Sequence, residues 1–155
     1  MSTPIHRCVQ QARAGKNPTV IGRLPSAWVL LGDTQFLRGY CLLVADPVVG
    51  DLHALPLEGR LAFLSDMALL GEALMRVTDA ARINYEILGN SAPALHAHLF
   101  PRYDHEPIEQ REAPVWLYER AAREGVPFDR QRDHPLMQDI ARELDALGVQ
   151  ITDRC

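Results

Sequence analysis

Residues 89–102 read GNSAPALHAHLFPR and contain the most informative pattern in the chain. Side chains alternate between the two faces of a β-strand. His96 and His98 therefore share one face, while the apolar residues beside and between them share the other. The pattern predicts a strand over residues 95–100 that packs one face on the core and presents two imidazoles side by side on the other.

The segments around this strand predict an antiparallel sheet. Residues 83–88 have the composition of a strand, and the short link over residues 89–93 favours antiparallel pairing of the two strands that it joins. Two earlier strands are predicted at residues 28–31 and in the almost wholly apolar run 39–45.

Helical spacing of apolar residues predicts one long helix over residues 57–81, entered at Pro56. A short helix is expected over residues 8–17. A C-terminal helix is expected to start near Asp133 as its N-cap and to end at Gly148. Strands, a long helix, more strands and a final helix, without regular βαβ alternation, predict an α+β fold.

Composition restricts the class of protein. A chain of 155 residues fits one domain, which we predict over residues 1–155. A net charge of −4 makes broad binding of nucleic acid unexpected, and no stretch approaches the roughly 20 apolar residues of a membrane span. The first sixteen residues lack the apolar region of a secretory signal. An odd number of cysteines without a CxxC pair indicates a reducing compartment, so we expect a cytoplasmic protein.

Paired imidazoles suit chemistry at phosphorus. The imidazole pKa near 6.5 leaves the neutral, nucleophilic form abundant at pH 7. The neighbouring histidine can donate a hydrogen bond to a phosphoryl oxygen. Three small polar residues precede the strand, and their backbone amides are candidate phosphate ligands: Gly89, Asn90 and Ser91. Arg102 is a further candidate for phosphate, with a solvent-facing side chain as the alternative.

His-x-His alone is a weak motif, and the residues leave two alternatives open. The pair is also compatible with two half-exposed strand histidines that have no chemical role. The pair could also supply two zinc ligands, and His105, His53 or a carboxylate would then have to supply a third.

The wider pattern over residues 83–103 resembles the signature of the histidine triad (HIT) superfamily, His-φ-His-φ-His-φ-φ, often ending in Pro-Arg. A looser similarity extends over residues 28–44 and the long helix. The resemblance implies a HIT-like fold, with an antiparallel sheet of about five strands, one long helix and a C-terminal helix. It implies a core at about residues 20–105 and a C-terminal helical extension over 106–155.

Residue by residue, the resemblance carries the family's nucleophile to His96 and its third histidine to His98, while the first falls on Ala94. Its phosphate-contacting segment falls on residues 89–91. The Pro-Gly-His that the family often has in its earlier hairpin is replaced here by Arg-Gly-Tyr at residues 38–40. In the family the main-chain carbonyl at the first position orients the nucleophile by accepting its Nδ1–H, and alanine keeps that carbonyl. We therefore expect activity that survives but is reduced or redirected.

The resemblance implies a nucleotide hydrolase or transferase that acts at the α-phosphate of dinucleoside polyphosphates, as diadenosine polyphosphate hydrolases do, or of related nucleotides. The intermediate would be a covalent nucleotidyl-His96, with no cofactor or metal required. The resemblance also implies a homodimer. The alternatives are a non-catalytic nucleotide-binding protein and a metal-binding domain. Trp28, Leu30 and Leu42 are candidates for the nucleoside pocket, although each is equally well explained as core.

Overall fold

The computed structural model describes residues 3–155; Met1 and Ser2, which fall inside the predicted domain, lie outside the described residues. A five-stranded antiparallel sheet forms its centre, in the order β1-β2-β3-β5-β4. The strands are β1 (Val20–Arg23), β2 (Ala27–Leu31), β3 (Cys41–Ala45), β4 (Arg82–Glu86) and β5 (His96–Arg102). The predicted α+β class with an antiparallel sheet is confirmed.

Within residues 3–155, five α-helices accompany the sheet. They are α1 (Pro4–Arg13), α2 (Leu57–Val77), α3 (Ile108–Arg111), α4 (Arg120–Glu124) and α5 (Arg130–Ala146). The long α2 and the C-terminal α5 are the two helices that the sequence pattern predicts most clearly. Within residues 3–155, none of the helices is long and apolar enough to span a membrane.

The main core lies between one face of the sheet and the pair α2 and α5. Inward-facing strand residues such as Leu43, Ala97 and Leu99 pack there against Leu70 of α2 and Ile140 of α5, all of them fully buried. Burying each of these leucine and isoleucine side chains contributes about 1.5–3 kcal/mol. The core therefore fixes β5 in the register that turns both of its histidines to the opposite face.

That opposite face is covered at its two ends and carries the histidines between them. At one end, α1 packs over Trp28, Leu30 and Val44. At the other end, the C-terminal segment packs over Tyr40 and Phe100, using Tyr103, Val115 and Tyr118. His96 lies opposite Val44 and His98 opposite Leu42 in the β3–β5 ladder.

Several predicted boundaries are wrong for local reasons. The first helix begins at Pro4 rather than residue 8, because Thr3 and His6 form a reciprocal capping box. The C-terminal helix begins at Arg130, because Asp129 accepts the Arg132 amide as its N-cap. Asp133, the predicted cap, lies inside the helix.

Other ends also differ from prediction, whereas the C-terminal end of the last helix agrees. Helix α2 ends at Val77 rather than residue 81. Strand β5 continues past Pro101, since it still pairs with β4 as far as Arg102. Its pairing with β3 ends at Leu99, so the side of β5 that faced β3 is free at Pro101. A proline there removes no hydrogen bond from the sheet. Gly148 follows α5 with a φ of 80°, the left-handed conformation expected after a helix C-terminus. The short strand β1 was not predicted.

Candidate active site

His96 is held by its own strand. Its Nδ1 lies 2.7 Å from the carbonyl oxygen of Ala94. Because a carbonyl oxygen can only accept, Nδ1 carries the proton and donates it. This hydrogen bond selects the tautomer of the neutral ring in which Nε2 carries the lone pair. The expected carbonyl at position 94 thus orients the ring, although an alanine occupies this position.

The Nε2 atom of His96 reaches the surface even though only 6% of the residue is exposed. Within residues 3–155 it has no hydrogen-bond partner, and the one fully enclosed side-chain nitrogen or oxygen without a partner is the Nε of Arg23. The buried part of the ring is therefore packed, while Nε2 reaches the surface. A nucleophile needs this combination of fixed orientation and access.

His98 is held by Tyr40, which directly precedes the neighbouring strand β3. The Tyr40 Oη lies 2.7 Å from the His98 Nδ1. Burial raises the pKa of Tyr40 well above its usual value, with smaller contributions from Asp33 and other acidic groups, so the hydroxyl keeps its proton. Burial, assisted by the neighbouring His96, lowers the pKa of His98 to about 4. Both groups are therefore neutral at pH 7.

These protonation states fix the tautomer of His98. In the part of the chain that the structure describes, the Tyr40 hydroxyl has no acceptor other than His98 Nδ1, so it donates to that atom. A neutral ring that accepts at Nδ1 carries its own proton on Nε2. The two histidines consequently differ in role, since His96 offers a lone pair and His98 offers an N–H donor.

The two imidazoles are close neighbours within an aromatic surface. Their ring centroids lie 4.9 Å apart, with an interplanar angle of 71°. Phe100 stacks parallel to His98 at 5.8 Å, and Trp116 approaches His98 edge-on at 5.1 Å. The Trp116 indole N–H donates to Glu86, which pairs with His98 on the neighbouring strand. The donor histidine is therefore enclosed on the side that faces the C-terminal segment.

Comparison with known proteins identifies the architecture. No family model and no curated protein matches the sequence. A histidine triad protein from Marinobacter aquaeolei VT8 superposes with a TM-score of 0.70 at 24% identity, covering 83% of this chain and 89% of that one. A hypothetical histidine triad nucleotide-binding protein from Sulfolobus tokodaii superposes with a TM-score of 0.68 at 12% sequence identity. The superposition covers 89% of this chain and 91% of that one. A Zn-bound histidine triad family protein from Mycobacterium smegmatis superposes with a TM-score of 0.58 at 22% sequence identity. The superposition covers 92% of this chain and 99% of that one.

The chain has the histidine-triad fold. The predicted sheet, long helix and C-terminal helix match this architecture. At these identities the likeness concerns the fold.

In this histidine-triad fold, residues 89–91 form an exposed turn between β4 and β5. No hydrogen bond to other described residues engages the backbone amides of Gly89, Asn90 or Ser91. Ala94, three residues after Ser91, is buried and begins the packed part of the segment. The three residues predicted as phosphate ligands thus lie just before β5, and their backbone amides donate no hydrogen bond to another described residue.

Arg102, the fourth residue predicted to contact phosphate, has its guanidinium buried against the C-terminal segment. Only 5% of it is exposed, and its guanidinium forms a two-bond ion pair with Glu106 at 3.1 Å. It also donates to Tyr118 Oη, to Asn84 and to three carbonyls of residues 110–113. We therefore exclude Arg102 from the proposed phosphate site, because its donors already anchor the C-terminal segment.

Among residues 3–155, no group of three histidine, cysteine or acidic side chains is arranged to hold a metal ion. His105 and His53, the third ligands considered from sequence, are both exposed surface residues. His105 stacks on Tyr103, 5.1 Å away. In the described part of the chain, His96 and His98 thus lie together and no third side chain completes a metal-binding group.

Sequence reasoning missed the partners of His98. Tyr40 is 58 residues away in sequence, and Trp116 belongs to a segment with no diagnostic pattern. One signal was present, since Tyr40 occupies the position at which the resemblance leads one to expect a histidine. A phenol at that point of the hairpin lies close to the strand that carries His98.

Proposed function

We propose that the protein is a nucleotide hydrolase or transferase that acts at the α-phosphate through a covalent intermediate on His96. The observation that carries the proposal is the hydrogen bond from His96 Nδ1 to the Ala94 carbonyl. It leaves a lone pair on the outward-facing Nε2, which is the arrangement that a nucleophilic imidazole requires.

In the first step, His96 Nε2 attacks the α-phosphorus in line. A phosphorus–nitrogen bond forms, and the bond to the leaving nucleotide, polyphosphate or amine breaks. The leaving group takes the bonding electron pair and receives a proton from solvent. The ring becomes cationic, and the Ala94 carbonyl that accepts from Nδ1 stabilises that charge.

In the second step, water attacks the same phosphorus and the phosphorus–nitrogen bond breaks. The electron pair returns to His96, which becomes neutral again, and the water proton passes to solvent. An alcohol or another phosphate in place of water would make the reaction a transfer. Two displacements of moderate difficulty replace one difficult displacement.

Charge on the phosphoryl oxygens is stabilised by donors that are already oriented. His98 contributes its Nε2–H, fixed by Tyr40. The free amides of residues 89–91 contribute further donors. Such preorganised donors are each worth about 10²–10³ in kcat. The protein's own groups can thus support both steps without a cofactor.

Dinucleoside polyphosphates are the leading substrate class that we propose, with other nucleotides that carry a leaving group on the α-phosphate second. The Sulfolobus protein of the same fold is described as nucleotide-binding, which supports a nucleotide ligand here.

The test is turnover of a panel of dinucleoside polyphosphates and nucleoside phosphoramidates by the wild type and by His96→Ala. We expect His96→Ala to abolish hydrolysis. His53→Ala is the matched control, because His53 is exposed in a separate 3₁₀ turn, and its activity should be that of the wild type. Unchanged turnover in His96→Ala would contradict the proposal. Tight nucleotide binding by a wild type that turns nothing over would favour a non-catalytic nucleotide-binding protein.

We further propose that the protein forms a homodimer through α2 and the outer edge of the sheet. Leu57 and Leu61 of α2 are 67% and 59% exposed, and Tyr85 on the edge strand β4 is 43% exposed. Apolar patches and open strand edges of this kind are typical of interfaces. Leu61→Glu should convert a dimer to a monomer in analytical ultracentrifugation, whereas Leu117→Glu, at an exposed position on the C-terminal segment, should not. A wild type that sediments as a monomer at all concentrations would contradict the dimer.

The proposed location is the cytoplasm. Cys8, Cys41 and Cys155 are all free thiols in the structure. Unpaired cysteines are usual in reducing compartments.

A further inference from the structure

Residues 103–118 fold back over the face of the sheet that carries the histidines, and they hold Trp116 in a fixed place. The buried Arg102 guanidinium donates to the Ala113 carbonyl, three residues before Trp116. It also donates to the Tyr118 hydroxyl, two residues after Trp116. The chain is therefore anchored on both sides of this tryptophan.

The Trp116 ring covers His98. The two rings meet edge to face, with their centroids 5.1 Å apart and an interplanar angle of 82°. Trp116 meets Phe100 in the same way at 5.6 Å, and Phe100 in turn lies parallel to His98 at 5.8 Å. An apolar ring against an imidazole keeps water from solvating the charged form. Trp116 thus favours the neutral form of His98.

The indole N–H of Trp116 acts on the same histidine through Glu86, to which it donates a hydrogen bond. Glu86 pairs with His98 in the β4–β5 ladder, and directly opposed side chains have Cβ atoms about 4.5–5.5 Å apart. A free carboxylate at such a distance would favour the protonated imidazole. Because one carboxylate oxygen of Glu86 is bound to the indole, Trp116 holds that negative charge on its own side.

Titratable and charged groups approach His98 from every segment packed against it. They are His96 on the same strand, Tyr40 just before β3 and Glu86 on β4, while Asp33, Arg123 and Glu124 line the cavity beyond Trp116. The His96 ring, 4.9 Å away, becomes cationic in the proposed first step. A second positive charge on His98 would oppose that step, since like charges repel.

The other side of the histidine pair does not depend on residues 103–118. There α1 covers Trp28 and Leu30, of which only 4% and 3% are exposed. Trp28 and Leu30, two of the nucleoside-pocket candidates from sequence, are therefore packed core residues. His96 itself is oriented by the Ala94 carbonyl, so it can serve as an internal reference.

We propose that Trp116 is a positioning residue for His98: its ring excludes water from the imidazole and its N–H binds the Glu86 carboxylate, and together these contacts keep the donor histidine neutral. This inference rests on the proposed function, because a donor at His98 serves catalysis only if phosphate binds there. The enclosed geometry agrees with the effect of burial, which, assisted by His96, lowers the pKa of His98 to about 4.

The experiment is an NMR titration of the ring ¹⁵N signals of both histidines in the wild type and in variants at Trp116. In Trp116→Ala water reaches the imidazole, and the pKa of His98 should move at least halfway from about 4 towards its ordinary value near 6.5. Trp116→Phe keeps an aromatic ring but lacks the N–H, so the pKa should rise by less. Because it retains the packing, Trp116→Phe carries the test should Trp116→Ala not fold.

Two controls accompany the titration. Leu117→Ala is the matched control, because Leu117 neighbours Trp116 but is 76% exposed; His98 should titrate in it as in the wild type. Adding Glu86→Gln to either Trp116 variant removes the freed carboxylate, and the pKa of His98 should fall again. In all variants His96 should keep its Nδ1–H tautomer, since the Ala94 carbonyl is unchanged.

The outcomes separate this inference from the proposed function. A wild-type pKa of His98 in both Trp116 variants would overturn the role of Trp116, even if His96-dependent hydrolysis is observed. Loss of the His96 tautomer together with the shift at His98 would also overturn it, because the sheet itself would then have changed. A shift confined to His98 and reduced by Glu86→Gln would support the role even if no hydrolysis is detected, because the titration does not require turnover.

Discussion

Replacing Tyr40 by phenylalanine removes one atom from the site and leaves its packing in place. The ring remains stacked on Phe100 at 4.4 Å, so little apolar burial is lost. The 2.7 Å hydrogen bond to His98 Nδ1 disappears. We therefore expect Tyr40→Phe to separate the effect of this single hydrogen bond from that of the aromatic cluster.

The magnitude follows from the environment of the bond. A typical intramolecular hydrogen bond contributes about 0.5–1.5 kcal/mol net, and a buried acceptor left without a partner costs about 1–3 kcal/mol. His98 is half-buried, so water compensates in part, and we expect a loss of about 1–2 kcal/mol in the free energy of unfolding. For a chain of this length each kcal/mol lowers Tm by about 2–4 °C.

Urea denaturation checks the stability, with an unchanged m-value showing that the unfolded state is not altered. Ring ¹⁵N chemical shifts of His98 check the tautomer. The wild type should show the Nε2–H form alone, and Tyr40→Phe a mixture that includes Nδ1–H. Because only part of the molecules then present the donor, kcat should fall about 2- to 10-fold, less than the 10²–10³ expected for complete loss of a donor. Wild-type stability together with an unchanged tautomer in Tyr40→Phe would refute the assigned hydrogen bond.

Two other predictions concern protonation and the C-terminal anchor. His98 has a folded-state pKa of about 4 and an unfolded value near 6.5, so the unfolded state binds more protons between these values. Stability should therefore fall as the pH drops from 6.5 towards 4, and His98→Asn should flatten this slope between pH 5 and 6.5; an unchanged slope would contradict the neutral His98. Arg102→Met should destabilise by about 3–5 kcal/mol, because it leaves the buried Glu106 carboxylate without its ion-pair partner. A loss below about 1 kcal/mol in chemical denaturation would show that Arg102 is not the anchor described here.

The parts of the site that follow local rules could be predicted from the sequence. Alternation along β5 fixes which residues share a face, so the neighbouring positions of His96 and His98 follow from the sequence alone. The Ala94 carbonyl is two residues from His96, and main-chain geometry makes its position independent of the side chain at 94. These features depend on a few consecutive residues and on one choice of secondary structure.

The remaining parts depend on contacts between distant segments. Tyr40 reaches His98 only because β3 pairs with β5 in one register, and that register is set by core packing. Arg102 was misjudged because its partner Glu106 lies four residues on, where the chain turns back over the sheet, and this turn has no sequence signature. Trp116 belongs to a segment held by that same ion pair, so its place beside His98 could not be foreseen.

The step that distinguishes the proposed reaction is the covalent bond that His96 Nε2 forms to phosphorus. The most direct measurement is a rapid quench of the wild type during turnover of a diadenosine polyphosphate, followed by peptide mass spectrometry. We expect an added adenylyl group on His96 that appears and decays at rates compatible with kcat and is absent from His96→Ala. Full turnover with no adduct at His96, or an adduct on another residue, would contradict it.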